Sequence, residues 1–202
     1  NNLRQNGTAA PLTYNVGSTA EGMIELGSGD SPGWLRCTST AVFSPNHNFV
    51  EGGEFTIEFD VDPGVNDPGG PLSGDWFAIV FGANAQNYFV NASDGMGILF
   101  RNNGEIQVFD GGTAIYGGSG DVSIPTDRPF HVTFEVSAAD FRSSPATIRM
   151  FIDGQPANIG GPGGAYVKAT GFRANYITLE RYAWPGPWTD QLDNFTVSAK
   201  PC

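Results

Sequence analysis

Residues 53 to 63 read Gly-Glu-Phe-Thr-Ile-Glu-Phe-Asp-Val-Asp-Pro, with Phe55, Ile57, Phe59 and Val61 alternating against Thr56, Glu58, Asp60 and Asp62. A period of two is that of a β-strand with one face on a core and the other open. Pro63-Gly64 ends it, because proline has no N–H to give to a ladder. Three readings of the acidic face compete: the wall of a binding groove, the acid/base pair of a glycosidase, or solubilising charge.

The same pattern recurs along the chain. Phe130-His131-Val132-Thr133-Phe134-Glu135-Val136 alternates as cleanly, and Asp75 to Phe81 is a strongly apolar, central strand. Gly95 to Phe100 and Glu105 to Phe109 flank Asn103-Gly104, and Thr147 to Ile152 runs into Asp153-Gly154. Asn-Gly and Asp-Gly between apolar runs predict hairpins. Shorter strands are predicted around Leu12–Val16, Gly22–Leu26, Trp34–Cys37, Ala165–Thr170, Tyr176–Glu180 and Asp193–Val197. The loop from Pro63 to Ser73 is too rich in Pro and Gly to be regular. A helical turn near Ala138–Phe141 is the one exception to an all-β, antiparallel two-sheet β-sandwich of jelly-roll type, formed by residues 1–202 as a single domain.

Composition narrows the partners. The chain has 202 residues and a formal charge of −11, with ten Lys+Arg. Binding phosphates takes clustered cations, so nucleic acid and anionic membranes are not expected partners. No apolar stretch reaches the roughly 18 residues of a membrane span, and the segment opens Asn1-Asn2-Leu3 without a signal-like run, as in an already processed, soluble domain. Asn6, Asn91 and Asn194 begin glycosylation sequons, which fit an exported, extracellular or cell-surface protein. Cys37 and Cys202 are a candidate disulfide, or two free thiols. A bridge closing so long a loop would contribute about 4–5 kcal/mol by loop entropy.

For binding chemistry, Arg181-Tyr182-Ala183-Trp184-Pro185-Gly186-Pro187-Trp188 stands out. Two prolines stiffen a loop carrying Tyr182, Trp184 and Trp188, and rigid rings lose little entropy when they stack on a sugar. Asp75 and Arg101, at strand ends, are candidates for hydrogen bonds to sugar hydroxyls. The alternative for Trp184 and Trp188 is to cap the core, and Trp34 and Trp76 are expected inside it. With only His47 and His131 and no close Cys pair, neither a catalytic triad nor a transition-metal cluster is expected.

The order of elements, Phe-Thr-Ile-Glu-Phe, then a hairpin at Asn103-Gly104, Phe130-His131-Val132, Phe151-Ile152-Asp153-Gly154 and a closing Asp193-Asn194-Phe195, resembles the laminin-G-like and concanavalin-A-like jelly rolls over residues 12 to 199. That resemblance implies a carbohydrate-binding module. It also implies an enzymatic alternative, because laminarinase-type hydrolases carry Glu-x-Asp-x-Glu on one strand. Glu58 and Asp60 match the nucleophile and its orienting residue, but Asp62 stands where the acid Glu belongs, and a retaining mechanism needs carboxyls about 5–5.5 Å apart. A lyase on the same face is the related possibility. The superfamily further implies a structural Ca²⁺ near the start of the last strand. By residue count Asp193 shares the inward parity of Phe195 and Val197, an inward carboxylate needs a partner, and Glu25 or Asp190 would assist. A third class of function is structural or adhesive, through neighbouring domains or self-association.

Overall fold

The computed structural model describes residues 53–62, 76–81, 95–101, 104–117, 124–140, 144–161 and 164–171. It also describes the backbone of residues 3–6, 13–14, 24–25, 33–38, 176–182 and 191–199, with the side chain of Asn194; of residues 62, 76 and 77 only the backbone is described. Within these are fifteen strands: β1 (Leu3–Asn6), β2 (Thr13–Tyr14), β3 (Ile24–Glu25), β4 (Gly33–Thr38), β5 (Gly53–Asp62), β6 (Trp76–Phe81), β7 (Met96–Arg101), β8 (Ile106–Asp110), β9 (Thr113–Tyr116), β10 (Phe130–Ala138), β11 (Ala146–Ile152), β12 (Gln155–Ala157), β13 (Ala165–Lys168), β14 (Tyr176–Tyr182) and β15 (Gln191–Ala199). Among the described residues no helix is long and apolar enough to cross a membrane.

The strands form two antiparallel sheets. Sheet A runs β1-β4-β14-β6-β7-β8-β9, and sheet B runs β12-β11-β10-β5-β15-β3-β2. β12 covers one half of the β11 edge and β13 the other. The alternating strand β5 is central in sheet B: β10 pairs with it on one side and β15 on the other. β6 is central in sheet A, between β14 and β7.

Alternation does the packing. Phe55, Ile57, Phe59 and Val61 are buried, as are Phe130, Val132, Phe134 and Val136 on β10. They meet Ile79, Phe81, Ile98 and Phe100 of sheet A in one cluster. Edge-on rings interlock there, Phe81 with Phe134 at 5.3 Å and Phe59 with Phe100 at 6.4 Å, the geometry that aligns positive ring edges with negative faces. Each such ring contributes about 1.5–3 kcal/mol by leaving water. Ala78, Val80 and Leu99 alternate away from this cluster yet are also buried. Sheet A is therefore covered on both faces here, which accounts for the nearly continuous apolar run of β6.

Turn chemistry follows the sequence. Asp153 and Gly154, joining β11 to β12, have φ of 49° and 75°, the two positive values that a tight hairpin turn requires. Of the helical turn expected around residues 138–141, Phe141 lies outside the described residues; β10 continues as strand to Ala138, and Ser144 N–H donates to the Asp140 carbonyl at 2.8 Å.

Candidate functional site

One end of the sandwich brings Tyr182 and Arg101 together among the described candidate residues. β14 ends at Tyr182, opposite Trp76 at the start of β6, and Trp76 is in turn opposite Arg101 at the end of β7. Tyr182, Trp76 and Arg101 thus occupy one row across three neighbouring strands. Phe77 pairs with the buried Phe100, and register assigns Trp76 to the opposite face, in the row of Arg101 and on the face that buries Ala78, Val80 and Leu99. The Arg101 guanidinium is held by Gln107, whose Oε1 accepts from Nε at 3.2 Å and from Nη2 at 2.6 Å.

Sheet B reaches the same end. Phe100 packs on Phe130, the first residue of β10, with centroids 6.2 Å apart. β5 ends here at Asp62, opposite Gln191 at the start of β15, and Gln191 is opposite Glu25 on its other side. The segment 183–190, with Trp184 and Trp188, leaves sheet A at Tyr182 and enters sheet B at Gln191. Trp184, Trp188, Asp75 and Asp190 themselves lie outside the described residues, as do Asn91, His47 and Cys202; Trp34 and Asn6 pair in register between β4 and β1, and Cys37 lies on β4 between Leu3 and Ile177.

The acidic face of β5 is a network. Asp60 Oδ1 accepts from His131 Nδ1 at 2.7 Å, and Asp60 Oδ2 accepts from Asn194 Nδ2 at 2.6 Å. One carboxylate thus joins β10, β5 and β15. Glu58 Oε1 lies 3.8 Å from His131 Nε2. His131 is also held through its backbone: its N–H donates to Asp153 Oδ1 at 3.0 Å, and its carbonyl accepts from Asp153 N–H at 2.9 Å. That backbone bond, and then Arg128 at 2.6 Å, keep the Asp153 carboxyl below the usual carboxylate range. Further along the same face, Glu54, Thr56, Glu135, Ser137, Thr147 and Arg149 line a depression of about 380 Å³.

Asp193 does not have the inward parity that residue counting assigns it. It pairs with Asp60, whereas Val197 pairs with the buried Ile57, and the register shifts between Asp193 and Thr196. Asn194, at φ 51°, sits in this bulge. One extra residue moves everything before it to the other parity. Among the described residues no group of three or more His, Cys, Asp and Glu converges as a metal site.

The architecture has close parallels in solved structures. The carbohydrate recognition domain of Emp46p, in metal-free form, matches with a TM-score of 0.65 and 10% identity, covering 100% of this chain and 89% of that one. The Bauhinia forficata lectin in complex with GalNAc gives 0.58 at 11% identity, with 98% and 93% covered. Lectin I of Ulex europaeus, bound to a methyl glycoside of α-L-fucose, gives 0.56 at 11% identity, with 95% and 89% covered. The chain thus has the concanavalin-A-like jelly-roll fold. At such identities the likeness establishes the sandwich alone, and it does not single out the laminin-G-like form expected from the sequence. No protein-family model matches the chain, and no curated protein does.

Two groupings on this sandwich are not visible in local pattern. The His131–Asp60–Asn194 network joins residues 71 and 134 positions apart. At the other end Lys168 of β13 meets Asp110 of β8, and Tyr166 donates to the second Asp110 oxygen at 2.7 Å. The available signal was period two: Lys168 shares the face of Tyr166, which packs against the core, while Val167 faces outward.

Proposed function

We propose that the chain is an exported, non-catalytic carbohydrate-binding module. Its glycan site is placed at the end where Tyr182, Trp76 and Arg101 align. Trp184, Trp188 and Tyr182 stack on sugar rings, and Asp75 and Arg101 bond to hydroxyls. The Tyr182–Trp76–Arg101 row supports this most strongly, because it brings the start of the aromatic segment, Trp76 and Arg101 to one edge. Such an edge offers flat apolar rings beside a planar donor, the pairing that sugar recognition uses. The lectin neighbours support the same class of ligand. With a net charge of −11, repulsion disfavours uronate and sulfated chains, so neutral glycans come first.

A Ca²⁺ ion belongs to this proposal, held by Asp193 and Glu25 near the start of β15. Register puts Asp193 two residues beyond the partner of Glu25, and oxygen donors suit a hard cation. Asp60 is not counted among its ligands, because each of its oxygens already accepts a hydrogen bond, from His131 and from Asn194.

The cleaving alternative on Glu58, Asp60 and Asp62 is weakened by the same commitment of Asp60, which is bonded to neighbouring strands and not to Glu58. The test is incubation with a panel of soluble and insoluble polysaccharides, following protein depletion and release of reducing or unsaturated ends together. Depletion that disappears in Trp184→Ala and Trp188→Ala at unchanged melting temperature supports binding at this end. Product formation, lost in Glu58→Gln, would replace the proposal by an enzyme, and neither signal would move it to a structural or adhesive role.

A further inference from the structure

We propose that His131 and Glu58 form a seat for a divalent transition ion of the Zn²⁺ type, on the open face of sheet B between β10 and β5. The proposal does not depend on the glycan site.

An ionised carboxylate only accepts hydrogen bonds, so the hydrogen between Asp60 Oδ1 and His131 Nδ1 belongs to the imidazole. In the neutral ring Nε2 then carries the lone pair. That lone pair has Glu58 Oε1 beside it at 3.8 Å, another electron-pair donor. The separation is too long for a direct hydrogen bond. It is close to what one shared cation sets: with Zn–N and Zn–O bonds near 2.1 Å at a tetrahedral angle, the two ligand atoms stand about 3.4 Å apart. A small turn of the Glu58 side chain, about two-fifths exposed, closes the difference.

The surroundings are those of a prepared ligand. Asp60 fixes the ring through Nδ1, the arrangement in which a carboxylate orients a metal-bound histidine and raises its basicity. Asp153 fixes the backbone on both sides of the same residue through the N–H and the carbonyl. Imidazole with carboxylate selects Zn²⁺, Cu²⁺ or Ni²⁺ over Ca²⁺ and Mg²⁺, which prefer all-oxygen sets. Two protein ligands leave the remaining positions to water on an open face, so binding is reversible and non-structural.

The test is titration of the whole protein with ZnCl₂, following the imidazole ¹⁵N resonances of His131 and His47 by NMR and the stoichiometry by calorimetry. The expected result is one ion per chain, a large shift of His131 Nε2, and loss of the isotherm in both His131→Gln and Glu58→Gln. Asp60→Asn is expected to weaken binding roughly 10- to 100-fold. Melting curves of the apo variants show that they fold. Unmoved His131 resonances at millimolar zinc would overturn the proposal, as would an isotherm that survives in folded His131→Gln.

Discussion

The ammonium of Lys168 and the carboxylate of Asp110 meet across the gap between the two sheets, with the lysine side chain only 3% exposed. The Thr170 hydroxyl adds a second contact to the ammonium at 3.2 Å. Removing one partner of a buried pair leaves an uncompensated charge, which costs about 3–5 kcal/mol, whereas replacing both by apolar groups is often neutral. Asp110→Asn is therefore expected to destabilise by about that amount, and Lys168→Met/Asp110→Leu to recover most of it. Urea denaturation of the single and double variants checks this through the coupling free energy.

Tyr166 answers to alkaline pH. Burial first, and then its bond to Asp110, raise the Tyr166 hydroxyl well above its ordinary pKa near 10. A raised acid stabilises the fold in its neutral form, so this contribution is complete below pH 10 and is lost as pH climbs through the higher folded value. Tyr166→Phe is expected to lower stability at neutral pH by about 1.5–3 kcal/mol, the worth of a hydrogen bond to a charged acceptor. Its stability should then fall less steeply above pH 10 than that of the unaltered protein. Melting curves from pH 7 to 11 would show both effects.

Asn194 combines a left-handed backbone with a bond to Asp60. Glycine keeps the backbone and loses the bond, while alanine loses both. Asn194→Ala is thus expected to be less stable than Asn194→Gly by about 1–2 kcal/mol, measured by urea midpoint. Equal stability would mean that the bulge relaxes.

The proposed Ca²⁺ site makes a separate prediction. At a free concentration 100 times its Kd the ion adds about 2.7 kcal/mol, so the melting temperature should rise with CaCl₂ and fall with EDTA. Asp193→Asn should remove the response. An unchanged melting point across the titration would remove Ca²⁺ from the proposal.

How much of this was legible depends on how local each feature is. Phe55 to Val61 and Phe130 to Val136 announce their strands because one face is core and the other is not. Asp153-Gly154 announces its turn because both positions need positive φ. Gly111 and Gly112, at φ 57° and 79°, carry the same signal after Asp110 and make a β8–β9 hairpin that the Asn103-Gly104 signal overshadowed. Trp76 had no readable parity, since its neighbours on β6 are apolar on both faces. The alignment of Tyr182 with Arg101 requires β14 to insert beside β6, and the meeting of His131 with Asp60 requires β10 to lie beside β5. Strand order is a property of the whole chain, and period-two pattern does not encode it. The bulge at Asn194 defeats parity for the same reason, because its extra residue is defined only against the partner strand.

The position of β5 between β10 and β15 also orders events during synthesis. Residues 55–62 pair with 191–199, so a nascent chain can zip β5 to β10, and β10 to β11, early but holds the other edge of β5 open until β15 leaves the ribosome. Such distant pairing is slow to form, and an open central edge is a template for another chain's strand. A chain stopped short of Gln191 therefore exposes the most regular strand in the molecule, and aggregation through β5 is the fate expected of it.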